Sequence, residues 1–402
     1  MKTFHINKEA FNTIQSHIIK QFGQKNRFAV VGGPGTGKTL LALEGFNQVL
    51  RDEADKQVAF IVYNRALRAF LKRYLNYSGK EDVIFTWHSW LTRFLMRTFD
   101  IDFEEMKKAY QPKPYTFDFD KIEHDLNEID DIKKYYYIFV DEAQDIPDAL
   151  LRILDKVSIK FFVFLDDNQK FTPELLESNP PFSTIEQATT LHTLALEEDF
   201  YDLTQNFRNT KGIESVAKLF DFNYMINNIT LRRNTVFKEG PKPRLIDVSN
   251  IDVLVEYVIS EHDKYPQKSI ALLMPKIANH KALLDTYRDA FLKHPKINKK
   301  NFYVHSSENE ASLNTHGIFL MTYQVAKGLE FDHVYLIELN NPQFKLDFYH
   351  KNAFYVSITR AEKELSLVFD NTLKDTEVMI KLKSHHTIFE QVTLKVGDRY
   401  DR

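Results

Sequence analysis

The sequence predicts an α/β protein built from two parallel-sheet domains in tandem. Short apolar runs rich in aromatic and β-branched residues alternate with longer runs of helical periodicity. The alternation breaks near residue 200 and then restarts. A glycine-rich loop separates the first strand-like run from the first helical one, the place where such sheets bind ligands.

In the first half, segments 28–31, 58–63, 83–86, 136–140 and 161–165 are apolar at successive positions, which predicts strands buried on both faces. Between the first two, Leu40, Leu41, Leu43 and Phe46 form the apolar side of a helix of about three turns. Ala66, Leu67, Phe70, Leu71 and Leu75 repeat the pattern before the third strand. In the second half, Gly240, Pro241 and Pro243 break the chain ahead of strand candidates at 245–248, 270–274, 318–322, 334–339 and 365–369. The expected division is a first domain over 1–200 with a small insertion at about 97–134. A second domain follows over 201–375, with an insertion at about 280–315, and then a C-terminal tail, 376–402, of a docked helix and a frayed end.

Composition sets limits on function. The chain has 402 residues, 43% hydrophobic and 27% charged, enough for two cores and too well mixed for disorder. It has no cysteine, which removes disulfides, thiolate metal sites and cysteine nucleophiles. No run approaches the roughly 18 apolar residues of a membrane span, and residues 1–15 lack a signal-peptide core, so a cytoplasmic protein is expected. A net charge of −3 means that any nucleic acid must be held by a local groove.

Gly32-Gly33-Pro34-Gly35-Thr36-Gly37-Lys38-Thr39 fits G-x-x-x-x-G-K-[ST] between a strand and a helix. Its glycines let backbone N–H groups converge on phosphates at a helix N-terminus. In that pattern Lys38 reaches the terminal phosphates of ATP, and the Thr39 hydroxyl ligates Mg²⁺. The 136–140 strand runs into Asp141-Glu142-Ala143-Gln144-Asp145. Asp141 is expected to hold the metal through its water shell, and Glu142 to act as general base on the attacking water.

Carrying these motifs, the chain resembles the superfamily 1 helicases of the UvrD/Rep type. Val62-Tyr63-Asn64-Arg65-Ala66-Leu67 is similar to their motif Ia, and Thr86-Trp87-His88-Ser89 to the motif after it. Leu165-Asp166-Asp167-Asn168-Gln169 resembles motif III, and the 203–210 segment, containing Gln205-Asn206-Phe207-Arg208, resembles motif IV. Thr322-Tyr323-Gln324-Val325-Ala326-Lys327-Gly328-Leu329-Glu330-Phe331 resembles motif V, and Tyr355-Val356-Ser357-Ile358-Thr359-Arg360-Ala361 motif VI.

The resemblance implies two RecA-like P-loop NTPase domains with ATP in the cleft between them. It implies Arg208 and Arg360 as arginine fingers and Gln169 as a γ-phosphate sensor. It also implies Phe207 stacked on adenine, Gln15 reading the base, and Gly328 and Glu330 in nucleotide contact. Asn64, Arg65, Thr86, Trp87, His88 and Thr322 fall where the family touches its strand. Three departures stand out: Lys170-Phe171-Thr172-Pro173 replaces an aromatic-rich extension, Gln324 replaces a usual His, and there is no room for large accessory domains. The expected function is an ATP-dependent translocase on single-stranded DNA, with RNA still open, working beside a partner protein such as a nuclease. The alternative is an ATP-binding switch that regulates such a partner without translocation.

Overall fold

The computed structural model describes residues 11–53, 56–63, 68, 71–72, 83–113, 116–132, 134–170, 190–220, 225–226, 229–230, 235–236, 238–298, 300–304, 316–346 and 348–397. Strands β1 (Arg27–Gly32), β2 (Val58–Val62), β3 (Ile84–Thr86), β4 (Tyr135–Asp141), β5 (Ser158–Leu165) and β6 (Phe200–Leu203) form one sheet in the order β3-β2-β4-β5-β1-β6. All its pairings are parallel. Two short ladders follow: β7 (Gln205–Asn206) pairs with β10 (Thr235–Val236), and β8 (Met225–Ile226) with β9 (Ile229–Thr230).

The second sheet contains β11 (Arg244–Asp247), β12 (Ser269–Met274), β13 (Phe302–Val304), β14 (Gly317–Thr322), β15 (Phe331–Leu336), β16 (Ala361–Phe369) and β17 (Glu390–Thr393). Their order is β13-β14-β12-β15-β16-β11-β17, again parallel throughout.

Both sheets are covered on both faces, and the two-residue period of the strands sorts their side chains. Ala29 and Val31 join one first-domain core while Phe28 and Val30 join the other. In β12, Ala271 and Leu273 face one second-domain core, and Ile270, Leu272 and Met274 the other. No helix among the described residues is long and apolar enough to cross a membrane.

Three structural details differ from the sequence-based division. The first sheet continues past residue 200 through β6, so the chain leaves it after Leu203. The segments expected as insertions supply core instead. Met106, Tyr110, Ile122 and Leu126 lie in the first domain's core, and Leu284, Tyr287 and Phe291 in the second's. The expected tail docks helix Glu377–Ser384 as anticipated, with Val378, Met379 and Leu382 in the core, but then continues into β17, an edge strand beside β11, in place of a frayed end.

The position of the phosphate loop depends on aromatic packing behind it. Asn12 caps helix α1 (Thr13–Gln24) with a reciprocal capping box to Gln15. From α1, Phe22 enters a ring cluster with Phe28, Phe139, Phe162 and Phe164. Helix α2 (Lys38–Asp52) passes close beneath at Gly45, where an added Cβ would lie 2.4–2.9 Å from atoms of the Phe22 ring. Phe22 is 1% exposed and ringed by other aromatics, so it cannot swing away. Gly45→Ala is therefore expected to destabilise the protein by about 1–3 kcal/mol, despite the better helix propensity of alanine. A lowered urea midpoint with unchanged slope is the confirming measurement.

Candidate nucleotide cleft

β1 ends at Gly32, and the next five residues turn back into α2. Gly35 and Gly37 have φ of 71° and 87°, a region that favours glycine. Gly37 is the N-cap of α2 and offers no side-chain acceptor, so the amides of the first turn remain available to an anion. Lys38, 7% exposed, folds back over the loop and donates to the carbonyl oxygens of Gly32 and Gly33. The Thr36 hydroxyl donates to the Gly33 carbonyl at 2.8 Å. The loop is also pinned from outside: the Gln15 amide donates to the Thr36 carbonyl at 3.0 Å, and the Phe207 N–H to the Gly35 carbonyl at 2.9 Å.

Two strands away, β4 delivers the acidic pair. Asp141 is fully buried, its Oδ1 accepts the Glu142 N–H at 3.1 Å, and its Oδ2 has no hydrogen-bond partner. Burial, reinforced by the Glu142 carboxylate, pushes the Asp141 carboxyl up to about 7, while the Thr39 hydroxyl and Lys38 act against that. Desolvation also works to raise Glu142, but Lys38 and Lys327 outweigh it and hold that carboxyl below the usual range. Glu142 has a φ of 54° and begins a tight turn, Ala143–Asp145. Gln144 fixes this turn to β5: its amide donates to Glu142 Oε2 at 2.5 Å, and its carbonyl accepts the Asp166 N–H at 3.0 Å.

The second domain closes the site. Arg360 is 3% exposed; its Nε donates to the Val356 carbonyl at 3.0 Å, and its Nη2 to Gln169 Oε1 at 3.0 Å. Gln169 in turn donates to Asp166 Oδ2 at 2.7 Å. Burial, and then the nearby Arg208, lower the Arg360 pKa to about 10, a value that still leaves it cationic near neutral pH. Lys327 pairs with Asp145, whose carboxyl burial pushes up to about 6. Arg208 forms an ion pair with Glu330. Asn209 donates to the carbonyls of Thr359 and Ala361 at 3.1 and 2.6 Å, joining the 204–210 segment to the Arg360 turn.

The sequence-based residues thus converge in large part. The 32–39 loop, Asp141, Glu142, Gln169, Arg208, Glu330 and Arg360 line one cleft, and Gly328 sits at a φ of 80° in the loop that carries Glu330. Phe207 is 53% exposed, so its ring is a surface face and not core packing. Gln15 departs from the expectation. It is 4% exposed, with its amide committed to the Asn12 backbone and to Thr36, so it braces the loop. The polar groups bordering the neighbouring 180 Å³ cavity are those of Asn12, Thr13, Thr204 and Gln205.

On the strand side, Trp87 departs from the expectation. Trp87 is 7% exposed and packs in the first-domain core with Trp90, Leu91 and Phe117 around it, leaving no face for a base. His88 stacks on Trp87. Thr86 is the N-cap of helix Trp87–Phe99, accepting the Ser89 N–H, a structural duty that explains its hydroxyl. Thr322 is 5% exposed at the end of β14. Asn64 and Arg65 lie outside the described residues. Conversely, sequence reasoning did not single out Gln144, Asp145, Asn209 or Lys327. Their signal was a polar residue placed directly after a buried strand or inside a loop that has to pack.

A phosphate loop and an acidic strand end on one parallel sheet, completed by cations from a second, define the fold of a two-domain P-loop protein. Residues 101–372 match the UvrD-like helicase C-terminal domain, and residues 15–173 match an AAA domain. The chain belongs to the UvrD-like helicase family. A protein of Acanthamoeba polyphaga mimivirus, named as an ATP-dependent DNA helicase, is 26% identical over 245 residues, 57% of this chain. The chain spans 31% of that relative's length. The C-terminal domain of a possible DNA helicase from Lactobacillus plantarun WCFS1 aligns with a TM-score of 0.32 at 18% identity, over 46% of this chain and 98% of that one.

The burial of Trp87 yields a direct check. Trp87→Ala is expected to cost about 3–5 kcal/mol of stability, the usual range for emptying an aromatic core position. Chemical denaturation followed by Tyr and Trp fluorescence measures it.

Proposed function

We propose that the chain is an ATP-driven translocase on single-stranded DNA, hydrolysing Mg·ATP between its two RecA-like domains. The observation that carries this reading is the hydrogen bond from Arg360 of the second domain to Gln169 of the first, within electrostatic reach of Glu142. An arginine delivered across a cleft makes turnover depend on the relative position of two bodies, which is what a motor requires. DNA as the strand rests on the family and on the name borne by the mimiviral relative.

In this reading the loop amides and Lys38 hold the β- and γ-phosphates of the substrate. Thr39 and Asp141 suit a magnesium ion: both offer hard oxygen ligands, and Asp141 Oδ2 is a buried acceptor without a partner. Bound there, the ion would neutralise charge on the phosphate oxygens. Glu142, kept ionised by its cationic neighbours and aimed by Gln144, takes the proton from the attacking water. Gln169, Arg360 and Arg208 face the γ-phosphate, where developing negative charge favours a guanidinium fork. Glu330, a carboxylate, would be repelled by phosphate and is better placed for a sugar hydroxyl. The exposed Phe207 ring stacks on the base beside the cavity at Asn12 and Gln205.

Two outcomes test this. Lys38→Ala is expected to lose nucleotide binding, while Glu142→Gln should bind ATP without hydrolysing it; fluorescent-nucleotide titration and phosphate release separate the two. A Glu142→Gln protein with wild-type turnover would remove the assigned base. Phosphate release measured with single-stranded DNA, RNA and duplex should show strong stimulation by the single strand. Indifference to every nucleic acid would instead favour an ATP switch acting on a partner protein.

A further inference from the structure

Lys327 follows β14 in the second domain and is 8% exposed. Its ammonium crosses to the first domain, donating to Asp145 Oδ1 at 2.5 Å and to the Gln169 carbonyl at 2.7 Å. These acceptors end two separate turns. One, Ala143–Asp145, starts directly after Glu142; the other, Asp167–Gln169, presents the side chain that receives the Arg360 hydrogen bond. We propose that Lys327 is a positioning residue for ATP hydrolysis, fixing the Glu142 turn and the Gln169 turn relative to each other when the two domains meet. The proposal rests on the reading of Glu142 as the base.

Stability alone does not account for this lysine. A buried ion pair returns roughly what its desolvation costs, and replacing both partners with uncharged groups is often neutral. Here the partners sit on different domains, so opening the cleft returns each to water and the pair does not lock the motor shut. What the geometry does supply is placement. One cation tied to two turns removes the freedom of each to drift, and a misplacement of 1 Å at a reacting centre can cost about 10²-fold in rate.

Four variants test the assignment: Lys327→Met, Asp145→Asn, the Lys327→Met/Asp145→Asn double, and Glu142→Gln. Each single change at the pair should lower the urea midpoint by leaving a buried charge unpartnered. The double variant should regain the wild-type midpoint yet keep a kcat about 10²-fold below wild type, with KM for ATP within about threefold. A double variant that turns over at the wild-type rate would show the pair to be only structural. Because the chain has no cysteine, one engineered cysteine per domain can carry a dye pair that reports closure with ADP and beryllium fluoride. Closure in the double variant should match wild type; its loss would make Lys327 a latch and overturn the positioning role. Normal turnover by Glu142→Gln would sink the underlying reading, whereas inactivity there together with a fully active double variant sinks the Lys327 assignment alone.

Discussion

Charge withdrawn from water where the two parallel sheets meet is the constraint on which the rest of the arrangement depends. Asp141, Asp145, Lys38, Lys327 and Arg360 are all at most 8% exposed, and none is tolerable there alone. The carboxylates come from the first sheet, together with Lys38, while Lys327 and Arg360 come from the second. Asp145 finds its cation, Lys327, on the other sheet, and Arg360 finds its acceptor, Gln169, on the first, so that part of the cleft is completed jointly. This is why the acidic turn after β4 carries Gln144, a neutral amide that satisfies Glu142 and β5 together without adding charge.

Most of the sheet architecture was legible because parallel strands buried on both faces are apolar at successive positions. Central strands such as β4, β5, β12 and β14 announce themselves in this way. The strands that sequence reasoning missed lie at sheet edges, where that rule lapses. β6 is Phe-Tyr-Asp-Leu with three half-buried positions, β13 has one buried residue, and β17 is Glu-Gln-Val-Thr, mostly exposed. Charged helices misled for a related reason: Phe103–Tyr110, Phe119–Asn127 and His280–Lys293 pack by narrow apolar stripes, which a high charge count conceals.

At the site, legibility followed chemistry. Spacing points most directly to residues whose type a phosphate or a water proton would dictate, since few side chains can do that work. Aromatic side chains can serve either core or ligand, and spacing does not separate the two. Trp87 and Phe207 show this, one at 7% exposure and the other at 53%. Lys327 was hidden differently: its value lies in a partner 182 residues away, a relation no local pattern carries.

The crossing between domains has a mechanical consequence. Among the described residues, the chain passes from the first sheet to the second once, through the stretch after Leu203. That stretch is tied to the phosphate loop: Phe207 bonds to Gly35, and a Cβ on Gly35 would meet Asn206 and Arg208 at 2.4 and 2.5 Å. The crossing therefore sits against the phosphate loop. Any rotation about it moves atoms near Gly35 very little and atoms at the far rim of the second sheet a great deal. Small shifts at the phosphate loop would thus be geared up into travel at a distance, as in a lever whose fulcrum lies beside its load.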